Sequence, residues 1–427
     1  MVVTCEFSFD NNRHGTFYAG QLVSGCVTLK SDKIKEVQAA LVKVVGYSIT
    51  KWSERRLATT KLFAGREEYL ASQTYLVGSE QSNDRHIIQA GVHNYNFACQ
   101  LPYQCPTSFE GRYGCVRYIV KVLLIRPWKY NQAYTHGITV LKMMDLNCET
   151  PQLRLPAHSE NYRTFCCGPC KTAPLKMELH LPQAGYVPGQ RIPVTVLLIN
   201  NSNVAVSEVR LSLVMLVRYF SVTPEHSRVD RILIGKAKGD SVLRRSTRSL
   251  TLDMVVPSTP PTCLDVCKLI QIAYQLEVEA LIKSLREQQM ITMPITIGTW
   301  PLGNSSSASD VVQHQPPRRS ERYESPADEL PVVTALANQL NSPDIGKHFQ
   351  DIRQSASLLI ALILLKALPT FEESKHTLHG NINEEELYAF GVNEFAPLYP
   401  VYSIPSPAPV LSANSRNIGF INQSFEK

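Results

Sequence analysis

No window of the 427 residues reaches the roughly 20 consecutive apolar positions of a bilayer-spanning helix, which excludes a polytopic membrane protein. The N-terminus, Met1-Val-Val-Thr-Cys-Glu6-Phe-Ser-Phe-Asp10, has acidic residues where a secretory signal needs an apolar core. No phosphate-cradling glycine loop, G-x-S-x-G elbow or H-E-x-x-H motif occurs. The 11 histidines are scattered and carboxylates are sparse in the strand-like stretches. Without a nucleophile beside a base, the chain reads as a binder without enzymatic activity, cofactor or metal. No run of Lys and Arg exceeds two, so nucleic acid is not an expected partner. Cysteines number 11, an odd count that forbids complete intramolecular pairing. Reduced thiols in the cytoplasm are the expectation, and the sequons at Asn200, Asn304 and Asn422 then read as chance.

Proline, at 27, outnumbers glycine, at 21, which points to many turns and edge strands or to a proline-bearing tail. Apolar residues at 44% and charged residues at 19% are ordinary globular values, enough for two or three domains. The net charge of +6 is uneven. Residues 303–427 carry nine Lys/Arg and 14 Asp/Glu, a net −5, leaving +11 on residues 1–302. A basic body of that kind suits acidic peptides, phosphorylated tails or an anionic membrane face.

Strand signals dominate up to about residue 300. Ile272, Tyr274, Leu276, Val278, Ala280 and Ile282 alternate with Gln271, Gln275, Glu277 and Glu279, the period of a half-buried antiparallel strand with its polar side in water. Val209, Leu211, Leu213, Met215, Val217 and Tyr219 repeat the pattern, as do Tyr118, Val120, Val122 and Leu124 before Pro127. An internal echo sets the domain count. Tyr18-Ala-Gly-Gln21 and Tyr186-Val-Pro-Gly-Gln190 each precede an apolar strand, with Gly supplying the positive φ of a turn that returns the strand onto its predecessor. The expected organisation is two tandem antiparallel β-sandwiches, at 1–150 and 174–302, with a Cys- and Pro-bearing linker at 151–173 between them. Residues 303–427 hold eleven prolines and no alternation, so a largely flexible tail is expected there. The apolar run within 356–368 reads as a short helix.

Cys166, Cys167 and Cys170 form the one cluster of chemical interest in the linker. Cys167-Gly-Pro-Cys170 has redox-site letters, but Pro174 argues against the helix that would lower a thiol pKa. Zinc lacks a second ligand pair at ribbon spacing, Cys263 and Cys267 being nearly 100 residues away. Lipid attachment is the third reading of this cluster.

Several stretches in order resemble the arrestin family. Tyr18-x-Gly-Gln-x-x-Ser-Gly-x-Val-x-Leu29 looks like the opening strands of an arrestin N-domain, and Gly114-Cys-Val-Arg-Tyr118 through Arg126-Pro-Trp128 like a later one. Leu175-Lys-Met-Glu through Gly185-Tyr-Val-Pro-Gly-Gln190, Asn200-Asn-Ser202 and Pro294-Ile-Thr-Ile-Gly-Thr-Trp-Pro301 resemble the C-domain. The cysteine-bearing linker and long tail are similar to α-arrestins, the arrestin domain-containing proteins. That resemblance implies immunoglobulin-like sandwiches and an adaptor for membrane-protein cargo in endocytosis and protein transport. Such a protein would associate only peripherally with plasma membrane or endosomes. It also implies tail P-P-x-Y motifs that recruit HECT ubiquitin ligases through WW domains, whose grooves take preformed polyproline segments. No full motif is present. Ala396-Pro397-Leu398-Tyr399 lacks one proline, and Pro369-Thr-Phe371 has Phe for Tyr. Ala396–Tyr402 also reads as a strand packing on the body. Arg112, Arg117, Lys236, Lys238, Arg244 and Arg245 are the expected contacts for acidic or phosphorylated cargo. A stable sorting-coat subunit with the same fold is the rival reading.

Overall fold

The computed structural model describes residues 3–303, apart from 11, 13, 57–58, 83, 168–169, 172 and 283–286, together with 369–376 and 395–403. The expected helix at 356–368 lies outside these residues. Among them there is no α-helix, only a 3₁₀ turn at Pro151–Arg154, and no helix long and apolar enough to cross a membrane. The fold is all-β.

In the N-terminal sandwich, Leu22–Ser31 pairs with Val3–Phe9 on one side and Gly91–Gln100 on the other. The facing sheet runs Thr16–Tyr18, Gln132–Leu141, Gly114–Ile125, Ala39–Arg56, Thr59–Gly78. The C-terminal sandwich repeats the plan. Ala157–Arg163, Leu175–Leu181, Arg191–Asn200 and Ser246–Val255 form one sheet. Gly185–Tyr186, Glu287–Ile297, Ile270–Ile282, Glu208–Val222 and Glu225–Gly239 form the other.

The Gly-Gln echo is one turn used twice. Gly20 has φ +84° and Gly189 φ +86°, where an L side chain is strained. The following glutamine side chain accepts the main-chain N–H three residues back, Gln21 from Tyr18 at 2.8 Å and Gln190 from Val187 at 3.1 Å. Each turn follows a short strand paired in parallel with the last long strand of its domain, Thr16–Tyr18 with Thr139–Leu141 and Gly185–Tyr186 with Thr296–Ile297. The expectation that the next strand folds back on its predecessor is corrected. Leu22–Ser31 and Arg191–Asn200 instead cross to the opposite sheet, so each turn stitches two layers together.

Ile272, Tyr274, Leu276, Val278, Ala280 and Ile282 are all buried, as the alternation requires, and so is every apolar member of the Val209–Tyr219 series. One polar position departs from the expected wet face. Glu277 is buried, because Arg231 from Glu225–Gly239 folds its guanidinium over it with two hydrogen bonds. Burial works against the ionised carboxylate, yet the guanidinium prevails and the pKa of Glu277 falls below its usual range. Replacing Leu276 with Asp should cost on the order of 4 kcal/mol, by loss of buried apolar surface and insertion of an unpaired charge. Chemical denaturation of the purified variant checks this; an unchanged midpoint would reverse the face assignment.

Candidate functional site

The two sandwiches meet along a main-chain seam. Ala64 and Thr223 exchange N–H···O bonds of 3.1 and 3.0 Å, and the Thr50 hydroxyl donates to the Phe220 carbonyl at 2.6 Å. Trp52 stacks on Phe63, and the ring of His226 lies 4.9 Å from Phe63. Tyr69, from Thr59–Gly78, donates to Glu67 at 2.8 Å and reaches the Cys267 sulfur at 3.1 Å. A second connection joins Met144 to Thr299 through three bonds, the shortest being Met144 N–H to the Thr299 hydroxyl at 2.7 Å. The buried apolar residues of the two domains therefore form one continuous core.

The tail enters this junction. Thr370–Glu373 and Leu398–Val401 pair as an antiparallel two-stranded sheet, with Phe371 opposite Pro400 and Glu372 opposite Tyr399. The reading of Ala396–Tyr402 as a strand packing on the body agrees with this pairing, and Thr370–Glu373 adds a second strand within the tail. Both domains hold the strand. Tyr399 is buried and its hydroxyl donates to the Ser108 carbonyl at 3.0 Å, while the Leu398 N–H reaches the Thr139 hydroxyl at 3.2 Å. On the C-domain side the Tyr402 N–H donates to the Pro188 carbonyl at 2.9 Å, and its hydroxyl to that of Thr299 at 2.6 Å. Ser258 donates to the Glu372 carbonyl at 2.7 Å. Tyr402 packs with Leu146 and Val187, edge-on to Trp300. Gly189 leaves its space: a Cβ there would stand 2.1 Å from the Tyr402 carbonyl oxygen.

Near Ser108, on the neighbouring hairpin, lies the most deeply buried ion pair of the described residues. Arg117 Nε and Nη2 donate to the two carboxylate oxygens of Glu110 at 2.6 and 2.8 Å, with the side chains 8% and 0% exposed. Burial pulls the guanidinium pKa down, but the hydrogen-bonded carboxylate outweighs it and the value rises above the ordinary one. Burial raises the Tyr399 phenol well above its usual pKa, reinforced by neighbouring Tyr274 and the Glu110 charge, so Tyr399 is a neutral donor here.

The sequence-derived residues scatter over this frame. Arg117 is corrected as a cargo contact, because it is buried and committed to Glu110. Arg112 is exposed near the seam, its guanidinium 5.8 Å from the Tyr113 ring. Lys236 and Lys238 lie exposed on the outer strand Glu225–Gly239, and Arg244 and Arg245 in the loop beyond it, so the five remaining cations do not converge. Lys238 stands 3.5 Å from Glu208 and Arg245 donates to Asn203 at 3.1 Å. Pro397 is buried with Tyr399, Leu398 half-buried, and Pro369 and Phe371 half-buried at the start of the tail sheet. Cys166–Cys167 and Cys170–Lys171 pair as a short hairpin with Cys167 opposite Cys170, their side chains lying outside the described residues. Pro188 and Thr299 lie within the Gly185–Gln190 and Pro294–Pro301 stretches singled out in the sequence, though not as a seat for the tail; Ser108 and Thr139 lie in no such stretch. The available signal was Tyr399-Pro-Val-Tyr402, two aromatics separated by a proline and a valine.

Family models agree with this two-part plan. The model described as arrestin (or S-antigen), N-terminal domain, matches residues 5–147, and its C-terminal counterpart matches 171–302. Arrestin domain-containing protein 17 from Caenorhabditis elegans is 27% identical over an alignment covering 92% of this chain and 97% of that protein. Human arrestin domain-containing protein 4 is 24% identical over 72% of this chain and 74% of its own length. Rat thioredoxin-interacting protein is 26% identical over 43% of this chain and 46% of that protein.

Two substitutions probe the junction. Arg117→Met strands a buried carboxylate and should cost about 3–5 kcal/mol in denaturation, most of it recovered in the Arg117→Met/Glu110→Leu double variant. Tyr399→Ala removes a fully buried aromatic from the seat. It should raise proteolytic cleavage and hydrogen exchange across 395–403 while the exchange of Ile270–Ile282 stays unchanged.

Proposed function

Because the chain belongs to the arrestin family, as an α-arrestin, we propose that it is a non-enzymatic adaptor in endocytosis and protein transport. It binds cytoplasmic segments of membrane proteins and couples them to the trafficking machinery. The observation that carries this reading is the seat of Pro397–Tyr402. Two sandwiches fixed against one another present main-chain acceptors, Ser108 and Thr299 among them, to a single extended peptide. An extended peptide with two tyrosines at this spacing reaches both carbonyls through its phenol groups, with little further ordering of its backbone. Here the tail occupies the seat; in the working adaptor a cargo segment competes for it.

The same seat bears on ligase recruitment. A WW domain recognises an exposed tyrosine and proline, and both Pro397 and Tyr399 are buried while docked. Recruitment of a WW-domain HECT ligase through this stretch therefore requires the strand to leave. A free tail peptide should bind isolated WW domains more tightly than the whole chain does. Restoring the missing proline by Ala396→Pro should tighten the peptide about 5- to 30-fold, corresponding to about 1–2 kcal/mol. Titration by calorimetry measures both. If neither peptide binds, ligase recruitment through this tail is excluded while cargo binding stands. Affinity capture from cells, with and without Tyr399→Ala, addresses the adaptor role itself. Membrane proteins enriched with the variant support it, and one constitutive complex unaffected by the substitution would instead favour the coat-subunit reading.

A further inference from the structure

The hairpin between Gly114–Ile125 and Gln132–Leu141 exposes the two aromatic side chains most open to water in the described residues, Trp128 and Tyr130, each 94% exposed. An indole left fully in water is rare, because it forgoes the large apolar burial that such a ring normally makes. The loop is nevertheless built. Arg126 Nε donates to the Tyr130 carbonyl at 2.9 Å with Nη2 on the same oxygen, the Arg126 N–H donates to the Asn131 side chain at 3.4 Å, and Trp128 holds φ +58°. Arg126, Trp128, Lys129 and Tyr130 line one shallow concavity. No acidic residue occurs between Glu110 and Asp145, so the loop is cationic without compensation along its own chain.

The neighbouring strands add to this tip. The Gln38 N–H donates to the Ile125 carbonyl at 2.8 Å, and just before it Lys35–Val37 pairs with His86–Ile88. Ile34 and Ile87 at that end are 63% and 62% exposed. Lys33, Lys35 and Arg85 share this rim with Asp32, Glu36 and Asp84, of which Glu36 is paired to Arg85 at 3.0 Å. The seam to the second sandwich lies at the other end of the same sheet, where Thr50 and Ala64 meet Phe220 and Thr223.

From this arrangement we infer that the 126–131 hairpin, flanked by Ile34 and Ile87, is a membrane-docking tip for an anionic bilayer. Indole and phenol rings settle at the headgroup boundary, where an apolar body and a polar edge are both satisfied. Lys129 and Arg126 meet the acidic headgroups. A protein partner would need acidic groups matched to a small protruding tip, whereas a lipid surface supplies charge and apolar depth together. The inference does not depend on the adaptor reading: the tip is remote from the tail seat, and failure of either leaves the other standing.

The test uses the full chain and two vesicle populations, phosphatidylcholine alone and phosphatidylcholine with phosphatidylserine as about a quarter of the lipid. Co-sedimentation should show binding to the anionic vesicles, lost progressively with added salt. Trp128→Ser/Tyr130→Ser should reduce partitioning at least about 10-fold, and Lys129→Glu should reduce it on anionic vesicles. Brominated lipid should quench wild-type tryptophan emission, and the quenching should vanish in Trp128→Ser; Trp52 is buried, and Trp300 lies beside Tyr402 at the tail seat, away from the tip. All of these side chains are exposed, so thermal midpoints should match wild type. Absent binding of the wild-type chain, or equal binding and quenching in the aromatic variant, overturns the proposal. Loss of cellular membrane recruitment in that variant without any binding to pure lipid does so too, and assigns the tip to a protein.

Discussion

Thr59–Gly78 and Glu208–Val222 come from different sandwiches, and they meet where Ala64 and Thr223 exchange backbone hydrogen bonds. Main-chain bonds have fixed direction, and the Thr50 bond to Phe220 adds a second fixed point one strand away. The aromatic contacts of Trp52, Phe63 and His226 pack beside them. Two sandwiches could otherwise swing about their linker, since interfaces between domains usually allow motion. With this seam and the Met144–Thr299 connection both closed, the angle is set, and Ser108 and Thr299 stand at the spacing that one extended peptide can bridge.

Electrostatics at the junction follow from the same enclosure. The Glu110–Arg117 pair joins the short and long strands of one hairpin, and the Glu110 charge is near enough to help raise the Tyr399 phenol pKa. A buried ion pair adds little net stability over an apolar replacement, yet leaving either partner alone is costly. The preference for a tyrosine over a purely apolar ring at 399 comes instead from the buried Ser108 carbonyl that accepts its hydroxyl. The tail's second aromatic packs with Leu146 and Val187 and ends on the Thr299 carbonyl.

Much of the fold was legible because strands write their burial locally. The Ile272–Ile282 alternation and the Val209–Tyr219 series each specify a face within a dozen residues. The Gly-Gln turns were legible for the same reason, although the crossing between sheets that they produce depends on the parallel strand at 139–141 or 296–297 and so on distant sequence. Glu277 read as a surface residue because Arg231, which covers it, is 46 positions away. The tail seat was the least accessible feature, since Tyr399 is joined to Ser108 across 291 positions and each partner is a backbone atom that any side chain would offer. Arg117 illustrates the limit for charge: composition counts it as a cation for ligands, whereas geometry spends it on a neighbour.

The tail is covalently part of the chain it closes, only 95 positions separating Gly303 from Leu398. Its binding is therefore unimolecular, and the seat experiences it at a constant effective concentration that dilution of the protein does not change. A free segment with the same contacts would lose to it at ordinary cellular concentrations. A successful competitor must bring further contacts on the same molecule or be presented many times over on one surface. On the proposed adaptor reading, the occupied seat would act as a threshold on local density, answering to crowded patches of membrane proteins rather than to single ones.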